Sequence, residues 1–141
     1  MKAIRIHQHG GIEVLKVEEI PTPKPAQGEV LVRMKAAAMN HMDLWVRQGM
    51  PGVKIPLPII LGCEGSGVVE AVGNDVKNFK KGDEVVVSPG TSCGQCEVCV
   101  SGKDHFCRHY EIYGENRDGM EAEYVVVSER DLFLKPKNIS F

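Results

Sequence analysis

The chain has 141 residues, 43% of them hydrophobic and 26% charged, with a formal net charge of -2. That length suffices for one domain with its own core, and the near-neutral charge gives no electrostatic footprint for nucleic acid. No apolar run approaches the ~20 residues that span a bilayer, and residues 1–6 lack the apolar stretch of a signal peptide. A cytoplasmic protein without nucleic-acid or membrane partners is expected.

In chain order, residues 2–7 alternate with Ile4 and Ile6 on one face and read as a strand. Leu15 and Val17 suggest a second strand. Pro21, Pro23 and Pro25 block regular structure and predict an extended connector. Residues 30–36 alternate most strongly, with Val32, Met34 and Ala36 facing one way and Arg33 and Lys35 the other. Residues 40–48 predict a short helix: Asn40 is a good N-cap, Asp43 lies three residues on, and Gly49 can stop it. A proline-containing loop covers 50–58. Residues 67–73 read as a glycine-punctuated strand, 84–87 as a buried strand, and 124–127 and 132–134 as the last strands. Turn signals stand at 73–75 and 81–83. Many short strands with frequent turns predict a mostly β domain, either barrel or sandwich, and no internal repeat is present.

Residues 89–108 form a cysteine loop. Cys93, Cys96, Cys99 and Cys107 give the pattern C-x2-C-x2-C-x7-C, with Cys63 standing apart. In a reducing compartment such tight spacing points to metal before disulfide. Zinc takes four ligands in a tetrahedron, and a full set of thiolates leaves no open position, so the site is structural. Gly94 and Gly102 permit the tight backbone turns required. A dication with four thiolates carries a net charge of about -2, which backbone N–H groups, Lys103 and Arg108 are expected to offset. An iron–sulfur cluster is the alternative use of four cysteines. His105 and His109 flank Cys107 as further donors but are expected to be bystanders.

Two other stretches join this motif: Gly62-Cys63-Glu64-Gly65-Ser66-Gly67 running on to Gly73, and Val76-x2-Phe79-x2-Gly82-Asp83-x-Val85. Together the three make the chain resemble the N-terminal, catalytic domain of the medium-chain dehydrogenase/reductases, which include zinc-containing alcohol dehydrogenases and quinone oxidoreductases. The resemblance covers residues 1–141. It implies a partly open GroES-like β-barrel with a short helix and a zinc lobe at about 89–110. It also implies the catalytic, substrate-side domain of an NAD(P)-dependent oxidoreductase, acting on an alcohol, aldehyde, enone or quinone and homo-oligomeric when full-length. The family's nucleotide-binding half, which would bring NAD or NADP, is expected downstream and is absent from these residues. Gly65-Ser66-Gly67 is no dinucleotide fingerprint, because no helix pattern or third glycine follows. The chain alone is therefore expected to be inactive.

The chain departs from the zinc alcohol dehydrogenases where they bind a catalytic zinc. Asn40 stands at their cysteine ligand, Cys63 at their histidine, and Met42 at their hydroxyl proton relay. Glu64 and Cys63 remain as donors, with Cys63 a possible ligand of a second site. The run Asn40-His41-Met42-Asp43-Leu44-Trp45 resembles the quinone oxidoreductase branch instead. There the resemblance implies that Asn40 and Asp43 shape the acceptor pocket, Glu64 belongs to the same site, Trp45 walls it, and His41 faces the cofactor pyrophosphate. Read without the resemblance, Asn40 is a helix cap with Asp43 as partner, Trp45 is core and Cys63 is a small buried hydrophobe. The competing functions are a stand-alone zinc-stabilised binding module and a rubredoxin-like electron carrier.

Overall fold

A computed structural model describes all 141 residues, Met1–Phe141. The elements are β1 (Lys2–Ile6), β2 (Lys16–Glu19), β3 (Glu29–Ala38), α1 (His41–Gln48), β4 (Ile59–Ile60), β5 (Glu64–Val72), β6 (Glu84–Val87), β7 (Gly90–Thr91), α2 (Glu97–Val100), β8 (Glu111–Ile112), β9 (Tyr124–Ser128) and β10 (Leu132–Leu134). All strand pairs are antiparallel. They form a five-stranded sheet in the order β10-β6-β5-β3-β9, a three-stranded sheet β2-β1-β4, and the small pair β7-β8. The mostly β, barrel-like architecture expected from the sequence is present.

Valines build the main core because β-branched side chains fit a pleated, half-buried surface. Val30, Val32, Val69, Val85, Val87, Val125 and Val127 pack with Leu132, Tyr113 and Met120. Each fully buried valine contributes on the order of 1.5–3 kcal/mol. A second core gathers Ile6, Val14, Val46, Ile55, Ile59 and Leu61 under α1. The segment leading into β9 joins the sheets: Ile4 N donates to Glu121 O at 2.8 Å, Glu123 N to Lys2 O at 3.0 Å, and Met34 N to Glu123 O at 2.9 Å.

Three expectations change. Residues 30–36 do not simply alternate, because Val30, Leu31 and Val32 are all buried. Val30 and Val32 point into the main core, whereas Leu31 between them lies outside that cluster and is covered on the other face of the sheet, so both faces of β3 are buried here. Strand β6 is not buried throughout, since Val85 and Val87 face the core while Glu84 is exposed. The cysteine loop carries the single helical turn α2 and strand β7. Strands β4, β7 and β8 have two residues each, too short for a period-2 pattern to register in sequence.

Candidate functional site

The cysteine lobe builds a metal cage. Four thiolates about 2.3 Å from one ion stand about 3.8 Å apart at the corners of a tetrahedron. Here Cys93 Sγ lies 3.8 Å from Cys99 Sγ and 3.5 Å from Cys107 Sγ, while Cys96 Sγ lies 3.4 Å from Cys99 Sγ and 3.9 Å from Cys107 Sγ. All four sulfurs sit within 4.8 Å of one another. A disulfide would bring a pair to ~2.05 Å, and all five cysteines are free. These edges suit one tetrahedral ion and leave no room for a multi-iron cluster between the sulfurs. The donor set suits a structural zinc.

Local backbone makes this possible. Gly94 and Gly102 turn at φ of 74° and 75°, where a side chain would be strained. Backbone N–H groups converge on the sulfurs. Those of Gln95 and Cys96 face Cys93 and draw its thiol down to about 6. The N–H of His109 donates to Cys107 Sγ at 3.3 Å. The Ser92 hydroxyl, 3.6 Å from Cys99 Sγ, and the Gly94 N–H lower the Cys99 thiol. Such donors stabilise thiolate over thiol. His105 and His109 stay outside the cage. Lys103 and Arg108 are exposed on the lobe, and their side chains make no hydrogen bond or ion pair.

A second constellation forms where α1 meets β5. Asn40 caps the helix. Asp43, only 4% exposed, uses both carboxylate oxygens: Oδ2 accepts from Asn40 N at 2.6 Å and Oδ1 from Gly62 N at 3.1 Å. Asn40 Nδ2 donates to Glu64 Oε2 at 2.8 Å. Asp43 thus fastens the helix start to the strand that carries Cys63 and Glu64. Gly62 adopts φ 92°, and a Cβ on Gly114 would lie 2.8 Å from its carbonyl carbon, so two backbones pass in contact there. Cys63 is buried, and burial, followed by the Asp43 and Glu64 carboxylates, pushes its thiol up. A cavity of about 190 Å³ opens beside Glu64, lined also by Ala36, Ala38, Ser66, Val86 and Lys135.

The structure thereby brings Asn40, Asp43, Cys63 and Glu64 together. His41 is exposed on the first turn of α1, its ring 5.0 Å from that of Trp45. Trp45 is 51% exposed, so it is not core. The position of the α1 apolar stripe decides this: Val46 points into the second core and Trp45 away from it. These residues alone do not fit a second zinc. Asn40 turns an amide N–H, which no metal accepts, toward the Glu64 carboxylate, and Cys63 is not grouped with two further donors.

Sequence reasoning missed three groups. Tyr113 donates from its hydroxyl to Asp131 Oδ2 at 3.0 Å and accepts from Ser128 N at 3.3 Å, bolting the exit of the cysteine lobe to the barrel. Burial, then the Asp131 charge, raises the Tyr113 hydroxyl, and burial raises Asp131. Arg130 reaches the lobe from the barrel. Glu121 lies beside Gly62. All three depend on contacts distant in sequence, and no local spacing could have signalled them.

Glu121 yields a test of sign. Burial, then the Asp43 charge, raises its carboxyl above the ordinary value. A carboxyl raised by folding favours the fold while protonated, and that contribution is lost as pH rises through the raised value. Glu121→Gln is therefore expected to raise the melting temperature at neutral pH, with the gain vanishing toward about pH 3.5, below the ordinary glutamate value. A variant that melts lower than its parent at pH 7 would refute this.

Comparison with known proteins adds the following. The alcohol dehydrogenase GroES-like domain signature matches residues 26–137. The chain is 37% identical to an NAD-dependent alcohol dehydrogenase of Sulfurisphaera tokodaii, over 99% of this chain and 42% of that protein. It is 38% identical to an acryloyl-coenzyme A reductase of the same organism, over 97% of this chain and 40% of that protein. Among solved structures, a crystal structure of an NAD-dependent alcohol dehydrogenase superposes with a TM-score of 0.95 at 55% identity, over 100% of this chain and 41% of that one. The chain therefore spans about two fifths of the length of the relatives it matches.

Proposed function

The chain belongs to the alcohol dehydrogenase GroES-like domain family, and from that premise we propose that it is the substrate-side domain of an NAD(P)-dependent oxidoreductase with one structural zinc. The relatives' greater length supports a second, nucleotide-binding domain as the partner of these residues. The nicotinamide, when bound there, supplies or takes the hydride. The residues of this chain hold and orient the acceptor. Glu64 lines the 190 Å³ cavity and holds the Asn40 amide by one N–H, leaving that amide as the donor for the carbonyl of a small substrate, since a carboxylate only accepts. Asp43 keeps the pair in place. His41, exposed at the first turn of an eight-residue helix, is available to a pyrophosphate, which helix N-termini favour. The reading includes a reducing, cytoplasmic setting, which suits five free thiols, and a homo-oligomeric full-length protein. No helix is long and apolar enough to cross a membrane.

One observation carries the choice of chemistry: the Asn40–Glu64 hydrogen bond occupies the place where a catalytic zinc needs three protein donors. Reduction of an activated alkene or quinone, whose carbonyl needs only hydrogen bonds, fits these residues better than metal-assisted alcohol oxidation. The acryloyl-coenzyme A reductase supports this reading. The alcohol dehydrogenase relatives and the thiol of Cys63 support the second, metal-dependent reading. A metal count on the full-length protein decides between them. We expect about one zinc per chain in both parent and Cys63→Ala, from the cysteine lobe alone. Two in the parent and one in the variant would establish metal-dependent alcohol oxidation instead.

A further inference from the structure

Arg130 lies in the 3-10 turn Glu129–Asp131 between β9 and β10. Its guanidinium leaves the barrel and rests on the cysteine lobe. Nη1 donates to Ser92 O at 3.5 Å, and a Cβ on Gly94 would collide with Nη1 and Cζ of Arg130. Gly94 is required for its positive φ, and it leaves open the seat that the guanidinium fills. The seat touches the metal cage directly in sequence and in space. Ser92 and Gly94 flank Cys93, and the Ser92 hydroxyl and the Gly94 N–H both face Cys99 Sγ.

The guanidinium of Arg130 has no carboxylate in direct contact. It forms no ion pair with a carboxylate, unlike Arg5, Arg33, Lys81, Arg117 and Lys135. Its chain neighbour Asp131 feels the Arg130 charge, but the Asp131 carboxylate is turned to the Tyr113 hydroxyl and makes no ion pair with the guanidinium. Across the contact stands a centre that, with a dication and four thiolates, carries a net charge of about -2. The side chains of Lys103 and Arg108, though nearer in sequence, are exposed and make no hydrogen bond or ion pair.

We infer that Arg130 is the counter-cation of the metal–thiolate centre, a positioning residue whose guanidinium, seated on Gly94, slows loss of the ion. The inference rests on the reading that the four cysteines hold zinc. Arginine suits the task because its planar group can hydrogen-bond a carbonyl and lie flat on a glycine while keeping its charge. A fixed charge beside a thiolate centre weakens in effect as salt rises.

The test follows zinc release from the intact protein to an excess of a metallochromic chelator, at low and high ionic strength. Arg130→Met is expected to release zinc about three- to five-fold faster at low salt, the range of a partly exposed charge pair. The difference is expected to narrow at about 0.5 M salt, and Arg130→Lys is expected to keep most of the parent's retention. An unchanged rate in Arg130→Met would overturn the inference. So would an acceleration equal at both salts and not rescued by lysine, which would make Arg130 a packing residue only. A parent that yields no zinc would overturn the structural-zinc reading itself, an outcome distinct from either.

Discussion

Changing Cys96 to serine is expected to abolish stable zinc retention and to unfold the cysteine lobe while leaving the barrel standing. The lobe has almost nothing else to hold it. Neither hydrophobic core includes a residue between 92 and 109. The large apolar side chains of the lobe point outward, with Val100 75% and Phe106 68% exposed. What the lobe does bury is sulfur, in Cys99 and Cys107. Its four ligands stand in for a core, as metal does in other small units whose binding energy is folding energy. A hydroxyl in place of the Cys96 thiolate removes a soft ligand that bridges Cys99 and Cys107 at 3.4 Å and 3.9 Å. Elemental analysis should fall from about one zinc per chain to well below half. Amide hydrogen exchange should rise across residues 92–109 and stay protected in β3, whose opening requires the whole barrel. Release of the thiols of Cys99 and Cys107, buried in the intact lobe, should make the variant prone to aggregation and intermolecular disulfides. Equal loss of protection in β3 would show that lobe and barrel form one cooperative unit and would defeat the prediction. Iron in place of zinc in the parent would defeat its premise.

Asp43→Ala is expected to cause the largest loss of stability among substitutions at the α1–β5 junction. The carboxylate is buried, and it satisfies the N–H of Asn40 at 2.6 Å and that of Gly62 at 3.1 Å. Removing it leaves two donors with no partner, each costing about 1–3 kcal/mol. The combined loss should lower the melting temperature by roughly 6–20 °C. Asp43→Asn keeps one carbonyl acceptor and can serve only one of the two N–H groups, so it should fall between parent and alanine. A second reading separates anchoring from simple destabilisation. Gly62 immediately precedes Cys63, so a loosened junction should expose that buried thiol to alkylation well below the melting range. An Asp43→Ala protein that melts with the parent and keeps Cys63 protected would show that the carboxylate does not fasten helix to strand.

This outcome also bears on function. The family resemblance gives Asp43 a place in the acceptor pocket. Both of its oxygens accept from backbone donors, so under the proposed function its part is to hold Asn40 and Glu64 in place for the acceptor. Loss of Asp43 in a full-length enzyme should therefore affect the acceptor's KM and kcat together, through misplacement of both side chains.

The sequence by itself determined the features whose signal is local. The C-x2-C-x2-C-x7-C spacing specifies a metal cage because closely spaced thiols on one loop can reach a single ion with no help from the rest of the chain. The helix over 40–48 was legible in the same way, since Asn40, Asp43 and Gly49 act within their own turns. The alternating strands were legible because one face of each is buried. Tertiary structure alone decided the rest. Cover on the second face of β3 buried Leu31 between Val30 and Val32, outside the core those two share. A gap left by Gly94 drew in Arg130, which stands outside the lobe, while Lys103 and Arg108 inside it went to solvent. Asp43 became an anchor because Gly62, nineteen residues on, delivers its N–H to the same carboxylate. In each case the deciding partner is distant along the chain, and the sequence carries no period or spacing that encodes such a meeting. For Asp43 burial then fixes the outcome, because a buried acceptor must find whichever donor the fold brings near.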